Sequence, residues 1–171
     1  MGGIYGETKM LRNYNREDVQ VFVAGEKAAQ GYMNGYYESQ GLDIDRSIAC
    51  KQYDLTVTYS DKTKMVEEKF RDTNYGDLLI EMFQCIEFVE LGWFYHTTAD
   101  YLNYVICNTD WKPYRLYSIK WNNFKPWLFG YLKMHPRPFT VLSPKGIGLS
   151  LNFSIRWTEI PDNLYKLSEI K

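Results

Sequence analysis

Residues 53–71 read YDLTVTYSDKTKMVEEKFR. Residues 53–59 (YDLTVTY) alternate and are rich in β-formers, Ser60-Asp61-Lys62-Thr63 reads as a turn, and residues 64–71 (KMVEEKFR) return as a second strand. Taking Asp61-Lys62 as the central pair of this hairpin sets Asp54 opposite Lys69 and Thr56 opposite Glu67. Side chains alternate faces along a strand. Asp54, Thr56 and Thr58 therefore share a face with Met65, Glu67, Lys69 and Arg71. Leu55, Val57, Tyr59, Val66 and Phe70 form the other face, an apolar set suited to a core. Two acids and a lysine thus converge on one polar face. Two such carboxylates can hold a hard divalent cation with water and a phosphate oxygen. The ion stabilises phosphate charge and lowers the pKa of a bound water, and a nearby ammonium orients the nucleophile or stabilises the transition state. The competing reading is a set of cross-strand ion pairs on an exposed sheet face, each contributing up to about 1 kcal/mol.

Working outward, residues 17–39 read as a helix, with Val19, Phe22, Val23, Glu26 and Gln30 at helical spacing and Asn15 as N-cap. Gly25, Gly31 and Gly35 weaken that pattern. Residues 43–50 (DIDRSIAC) read as a first strand. After a break at residues 73–76, Asp77 to Leu91 places apolar residues at 78, 79, 82, 83, 86 and 89, a helical pattern stopped by Gly92. Residues 103–107 (NYVIC) read as a buried strand, residues 115–132 as a helix that Pro126 starts or kinks, and residues 147–157 as another strand. The order α-β-β-β-α-β, with an appended α and β, predicts an α/β fold: a central mixed sheet flanked by helices.

The 171 residues fit one domain. With 45% hydrophobic and 24% charged residues, the composition is that of a globular chain. No stretch matches a membrane span or a signal peptide. Cys50, Cys85 and Cys107 lack any paired spacing and read as reduced thiols, pointing to the cytoplasm. There is no zinc-site spacing, no GxSxG elbow and no P-loop, and Gly146-Ile147-Gly148 is no dinucleotide fingerprint. Charge is segregated. Residues 1–111 hold 10 basic and 18 acidic residues, whereas residues 112–145 hold no acid and Lys112, Arg115, Lys120, Lys125, Lys133, Arg137 and Lys145. Interleaved with Tyr, Trp and Phe, these cations suit phosphate neutralisation and base stacking on DNA. An aromatic core with a solvated basic rim accounts for the same pattern.

An Asp, a hairpin and then Glu-x-Lys, here Asp54 and Glu67-Glu68-Lys69, resembles the core of the PD-(D/E)XK nuclease superfamily, restriction-endonuclease-like and resolvase-like. The resemblance covers roughly residues 17–107, with residues 112–171 as an addition. It implies an αβββαβ core and hydrolysis of DNA phosphodiesters with Mg²⁺ or Mn²⁺, by an endonuclease before an exonuclease, of phage or mobile-element type. Asp54 and Glu67 would be metal ligands, the Glu68 carbonyl a further ligand, and Lys69 the catalytic lysine. Gln84, on the helix after the lysine, would match the Gln of the exonuclease-like branch. Glu26 or Glu38 would match the extra N-terminal acid of the resolvase-like branch. Tyr53 stands where the motif has Pro, and Glu68 fills a position that is usually apolar, so either Glu68 is partly exposed or paired, or the register differs. A homodimer fits cutting both strands of a duplex. The alternatives are an inactive nuclease-fold protein that binds nucleic acid or another protein, and an assembly factor using its aromatic C-terminal part. Outside the motif, His96 and Asp100 are candidates at a site mouth, against local hydrogen bonding. Glu81, one turn before Gln84 on the expected helix, faces the same site or solvent.

Overall fold

The computed structural model describes residues 16–50, 52–136, 138–142 and 149–170. Helix α1 (Arg16–Ser39) is followed by strands β1 (Asp43–Asp45), β2 (Leu55–Tyr59) and β3 (Lys62–Arg71). Next come β4 (Asp77–Cys85), β5 (Glu90–Leu91), the short helix α2 (Trp93–His96), β6 (Tyr101–Cys107) and β7 (Pro113–Lys120). The chain continues with α3 (Trp121–Met134), β8 (Phe139–Leu142), β9 (Leu149–Arg156) and β10 (Tyr165–Glu169). The six-stranded sheet has the order β1-β2-β3-β6-β7-β10, and the second sheet has the order β5-β4-β9-β8. Only β3 and β6 pair in parallel in the larger sheet, which makes it mixed.

The hairpin forms with its turn one residue earlier than the sequence predicts. Tyr59 pairs with Lys62 and Leu55 with Val66. Ser60 and Asp61 are therefore the central pair, both at positive φ (46° and 63°), as a type I′ turn requires. The register differs from the expected one by two residues. An even shift leaves every side chain on its assigned face.

Alternation along β3 and β6 feeds two cores. Val66, Phe70, Val105 and Cys107 pack with Ala29, Met33 and Tyr37 of α1. Leu102, Tyr104 and Ile106 face the other way, toward Leu78 and Ile80 of β4, Ile155 of β9 and Phe124 and Leu128 of α3. The sheet is thus covered by α1 on one face and by the second sheet with α3 on the other.

Three expected elements differ. The first strand ends at Asp45, and Cys50 makes only an isolated bridge to Tyr53. Residues 77–91 are not a helix but β4 and β5. Leu78, Ile80 and Met82 are buried at period two, while Leu79 and Phe83 are partly buried on the opposite side. A strand apolar on both faces also satisfies the helical spacing, and pairing with β9 decides the outcome. Residues 115–132 divide at Trp121 into β7 and α3, with Pro126 inside α3. On α1, Val23 is exposed, and the inner face is Ala29, Met33 and Tyr37. The expected N-cap, Asn15, lies outside the described residues.

Trp111 packs on α1 at Gly25, where a Cβ would meet the indole at 2.1 Å, and its ring meets Phe22 edge-on at 4.8 Å. Among the described residues nothing lies within 4 Å of a Cβ at Gly31 or Gly35. Gly31→Ala and Gly35→Ala should each raise unfolding stability in urea by about 1 kcal/mol, through helix propensity. Gly25→Ala should lower it by at least ~1 kcal/mol, because the indole must move.

Candidate functional site

β2 ends one residue short of Asp54, and the chain bends there. The Asp54 amide still donates to Val66 O (2.9 Å), and its carboxylate Oδ2 accepts the Glu68 amide (2.7 Å). Continuing the Leu55–Val66 register by one residue brings Asp54 level with Glu67. The two acids therefore share a face at the end of β2. Glu67 is buried, and its Oε1 lies 2.5 Å from Lys69 Nζ. Lys69 is part-exposed and sits 5.5 Å from the centre of the Trp93 ring on α2. Asp54, Glu67 and Lys69 are thus brought together.

Electrostatics binds the group to α1. Burial raises the Glu67 pKa above the usual 4.5, Lys69 opposes that shift, and Asp54 adds to it. Burial also raises Glu26, again countered by Lys69 and reinforced by Asp54. For Lys69, burial works against the charge, but Glu67, Asp54 and Glu26 outweigh it and the pKa rises. The charges of Glu67, Asp54 and Glu26 therefore all act on one ammonium. Of the two helix acids, Glu26 is half-buried and its pKa responds to the charges of Lys69 and Asp54, whereas Glu38 is exposed.

Glu68 points to the α1 face and is paired there. Its Oε1 accepts the Tyr37 hydroxyl (2.7 Å), and Arg46 Nη1 lies 2.7 Å from its Oε2. Asn103 Nδ2 donates to the Tyr37 oxygen (2.8 Å), and Arg46 Nε donates to Asn34 (2.8 Å). These contacts set polar partners around a carboxylate inside an apolar layer, while among the described residues Arg46 Nη2 and Asn103 Oδ1 stay buried without a hydrogen bond. Burial still pushes the Glu68 pKa up against Arg46 and Tyr37. Tyr37 and Arg46 carry no sequence signal for this role, since Tyr37 reads as an ordinary core residue and Arg46 as part of a strand.

The remaining expectations divide. Gln84 sits on β4, in the second sheet, so no helix carries it behind the lysine. Among the described residues no hydrogen bond or ion pair joins it to Asp54, Glu67 or Lys69. Glu81 also lies on β4, against Gly92. The His96 ring bonds locally to Leu91 O (3.1 Å). Asp100 ties β6 to β3, accepting from the Met65 amide (3.0 Å) and lying 3.4 Å from Lys64 Nζ. Lys112 and Lys120 flank the two ends of β7, about 26 Å apart along the strand. Arg115 is paired with Glu169 at 2.9 Å, and Lys125 and Lys133 lie on α3. Arg137 and Lys145 lie outside the described residues. Basic residues 112–133 do not form one face. Trp93, absent from the sequence expectations, is the residue that covers Lys69.

Asp54 and Glu67 carry the donor type that a hard divalent cation takes, carboxylate oxygen. Asp54 Oδ1 and Glu67 Oε2 are the carboxylate oxygens not used by the Glu68 amide and Lys69. In an extended strand the N–H and C=O of one residue point the same way. The Glu68 carbonyl therefore faces the Asp54 side, as its amide does. Among the described residues no three His, Cys, Asp or Glu side chains form a metal-ligating group. The set would be two carboxylates, a carbonyl and water, as suits Mg²⁺. No helix among the described residues is long and apolar enough to cross a membrane. No family model matches this chain, and neither a curated protein nor a solved structure is found similar to it.

Removing the Arg46 partner alone leaves a buried carboxylate uncompensated. Arg46→Met should cost about 3 kcal/mol in urea unfolding. Arg46→Met combined with Glu68→Leu should recover most of that loss, because both charges then leave together.

Proposed function

We propose that the protein is a metal-dependent DNA phosphodiesterase of the PD-(D/E)XK type. The observation that supports this most is the meeting of Asp54, Glu67 and Lys69 on one face, beside a strand end that leaves the Glu68 carbonyl on the Asp54 side. The α-β-β-β order and the parallel β3–β6 pair support the same reading. The helix expected between β3 and β6 is replaced by β4, β5 and α2, so the proposal rests on the site rather than on the whole core.

Asp54 and Glu67 would hold Mg²⁺ or Mn²⁺, with the Glu68 carbonyl as a third ligand. When bound, such an ion supplies charge stabilisation at phosphate and a more acidic water. Asp54 is held for this by the Glu68 amide. Lys69, kept charged by Glu67, Asp54 and Glu26, presents an ammonium to the attacking water or the non-bridging phosphate oxygens. Glu26 adds a carboxylate from α1, close enough for its charge to act on Lys69 and Asp54. Tyr37 and Arg46 act from behind the strand by fixing Glu68, and with it the facing of Glu67 and Lys69. Endonuclease action is the form proposed.

The Glu67–Lys69 ion pair at 2.5 Å favours a second reading. In it the pair is structural, and the protein binds nucleic acid or a protein partner without cleaving. Cleavage of single-stranded, duplex and branched DNA with Mg²⁺, Mn²⁺ or EDTA separates the two. The nuclease reading expects metal-dependent cleavage that falls by about 100-fold or more in Lys69→Ala and in Asp54→Asn. Natural protein that cleaves no substrate with either metal would leave the binding reading.

A further inference from the structure

The candidate site does not stand alone on its face. Lys69 lies 5.5 Å from the Trp93 ring, and Trp93 lies 5.7 Å from Trp121. Next to Trp93, the buried Phe94 ring meets Phe129 at 5.4 Å and lies 5.3 Å from Lys125 Nζ. Lys125, Phe129 and Lys133 follow one another at intervals of four residues, which puts them on one stripe of α3. That stripe covers about 12 Å of the helix. Residues 121–134 contain no acidic residue, and among the described residues no ion pair engages Lys125 or Lys133. Phe129 is half exposed despite its size.

The path is rigid where it meets the site. A Cβ at Gly92 would lie 2.3 Å from the Glu81 carbonyl oxygen, so only glycine lets α2 approach β4 this closely. The Gly92 amide donates to Met82 O (2.8 Å). At its other end α2 is tied to the segment leading to Asp54, because Thr97 Oγ1 and the Thr98 amide both donate to Gln52 O (2.9 and 3.1 Å). Trp93 is therefore fixed both to the second sheet and to the chain that carries Asp54.

We infer that Lys69, Trp93, Lys125, Phe129 and Lys133 form the track of a single-stranded nucleic acid leading into the Asp54–Glu67–Lys69 site. This deepens the nuclease reading and rests on it for the direction of the track. Alternating cations and aromatic faces are what a single strand uses, with phosphates neutralised between stacked bases. A duplex offers its phosphates but hides its base faces, so Phe129 would gain little from it. The track also selects among the basic residues of 112–133: Lys125 and Lys133 belong to it, while Lys112, at the far end of β7, does not.

The test is anisotropy of fluorescein-labelled oligo-dT and of a duplex of equal length, in EDTA, over a series of salt concentrations. Natural protein should bind the single strand more tightly than the duplex. Phe129→Ala should weaken single-strand binding by on the order of 10-fold. Lys125→Ala with Lys133→Ala should lower the slope of log K against log salt by about 1.4, two phosphates' worth for a single strand. Lys112→Ala should stay within about twofold, the scale of one peripheral charge. Tighter duplex binding, an unchanged Phe129→Ala, or a Lys112→Ala loss equal to that of the α3 pair would overturn the track. Because EDTA removes cleavage, failure here leaves the nuclease reading standing. Absent cleavage in the metal assay likewise leaves the track standing.

Discussion

Everything at the candidate site depends on which way three consecutive residues of β3 face. A strand cannot send neighbours to the same side, so Glu67 and Lys69 go one way and Glu68 the other. Glu68 then enters the layer under α1, where a lone carboxylate would be costly to bury. Tyr37 and Arg46 make the position tenable, and Asn103 and Asn34 each add one hydrogen bond to them. A buried network of this kind fixes the facing of the strand, because slipping β3 by one residue would bury Lys69 against α1 and strand Tyr37 and Arg46.

On the other face the same strand presents its charges toward the second sheet, beyond the end of β2. Among the described residues β2 does not extend to pair with the backbone there, and the Asp54 carboxylate accepts the Glu68 amide. Position and charge are thereby linked: the hydrogen bond that holds Asp54 also brings it level with Glu67. Burial raises the Glu67 pKa and the Asp54 charge adds to it; Lys69 opposes both, and a divalent cation would oppose them further.

The hairpin and its two faces were legible in the sequence because period two survives an error of two in register. The turn itself was misplaced, since Ser60-Asp61 lacks the glycine that announces a type I′ turn. Residues 77–91 misled because a strand buried on both sides places apolar residues at helical intervals too, and its partner β9 lies some seventy residues away in sequence. Residues 115–132 hid a boundary at Trp121, because apolar and aromatic residues run on from the strand into the helix. Asp54, Glu67 and Lys69 were legible as a group. Trp93, Tyr37 and Arg46 were not, because their roles come from contacts between elements distant in sequence. Gln84 was tied to a helix that does not form.

The central claim is that Asp54 and Glu67 together make a divalent-cation site, and Mn²⁺ titration followed by electron paramagnetic resonance addresses it most directly. The account predicts saturable binding to the natural protein, competed by Mg²⁺, and lost in both Asp54→Asn and Glu67→Gln while each variant keeps its fold by circular dichroism. Binding that is absent, or that survives both substitutions undiminished, would contradict it.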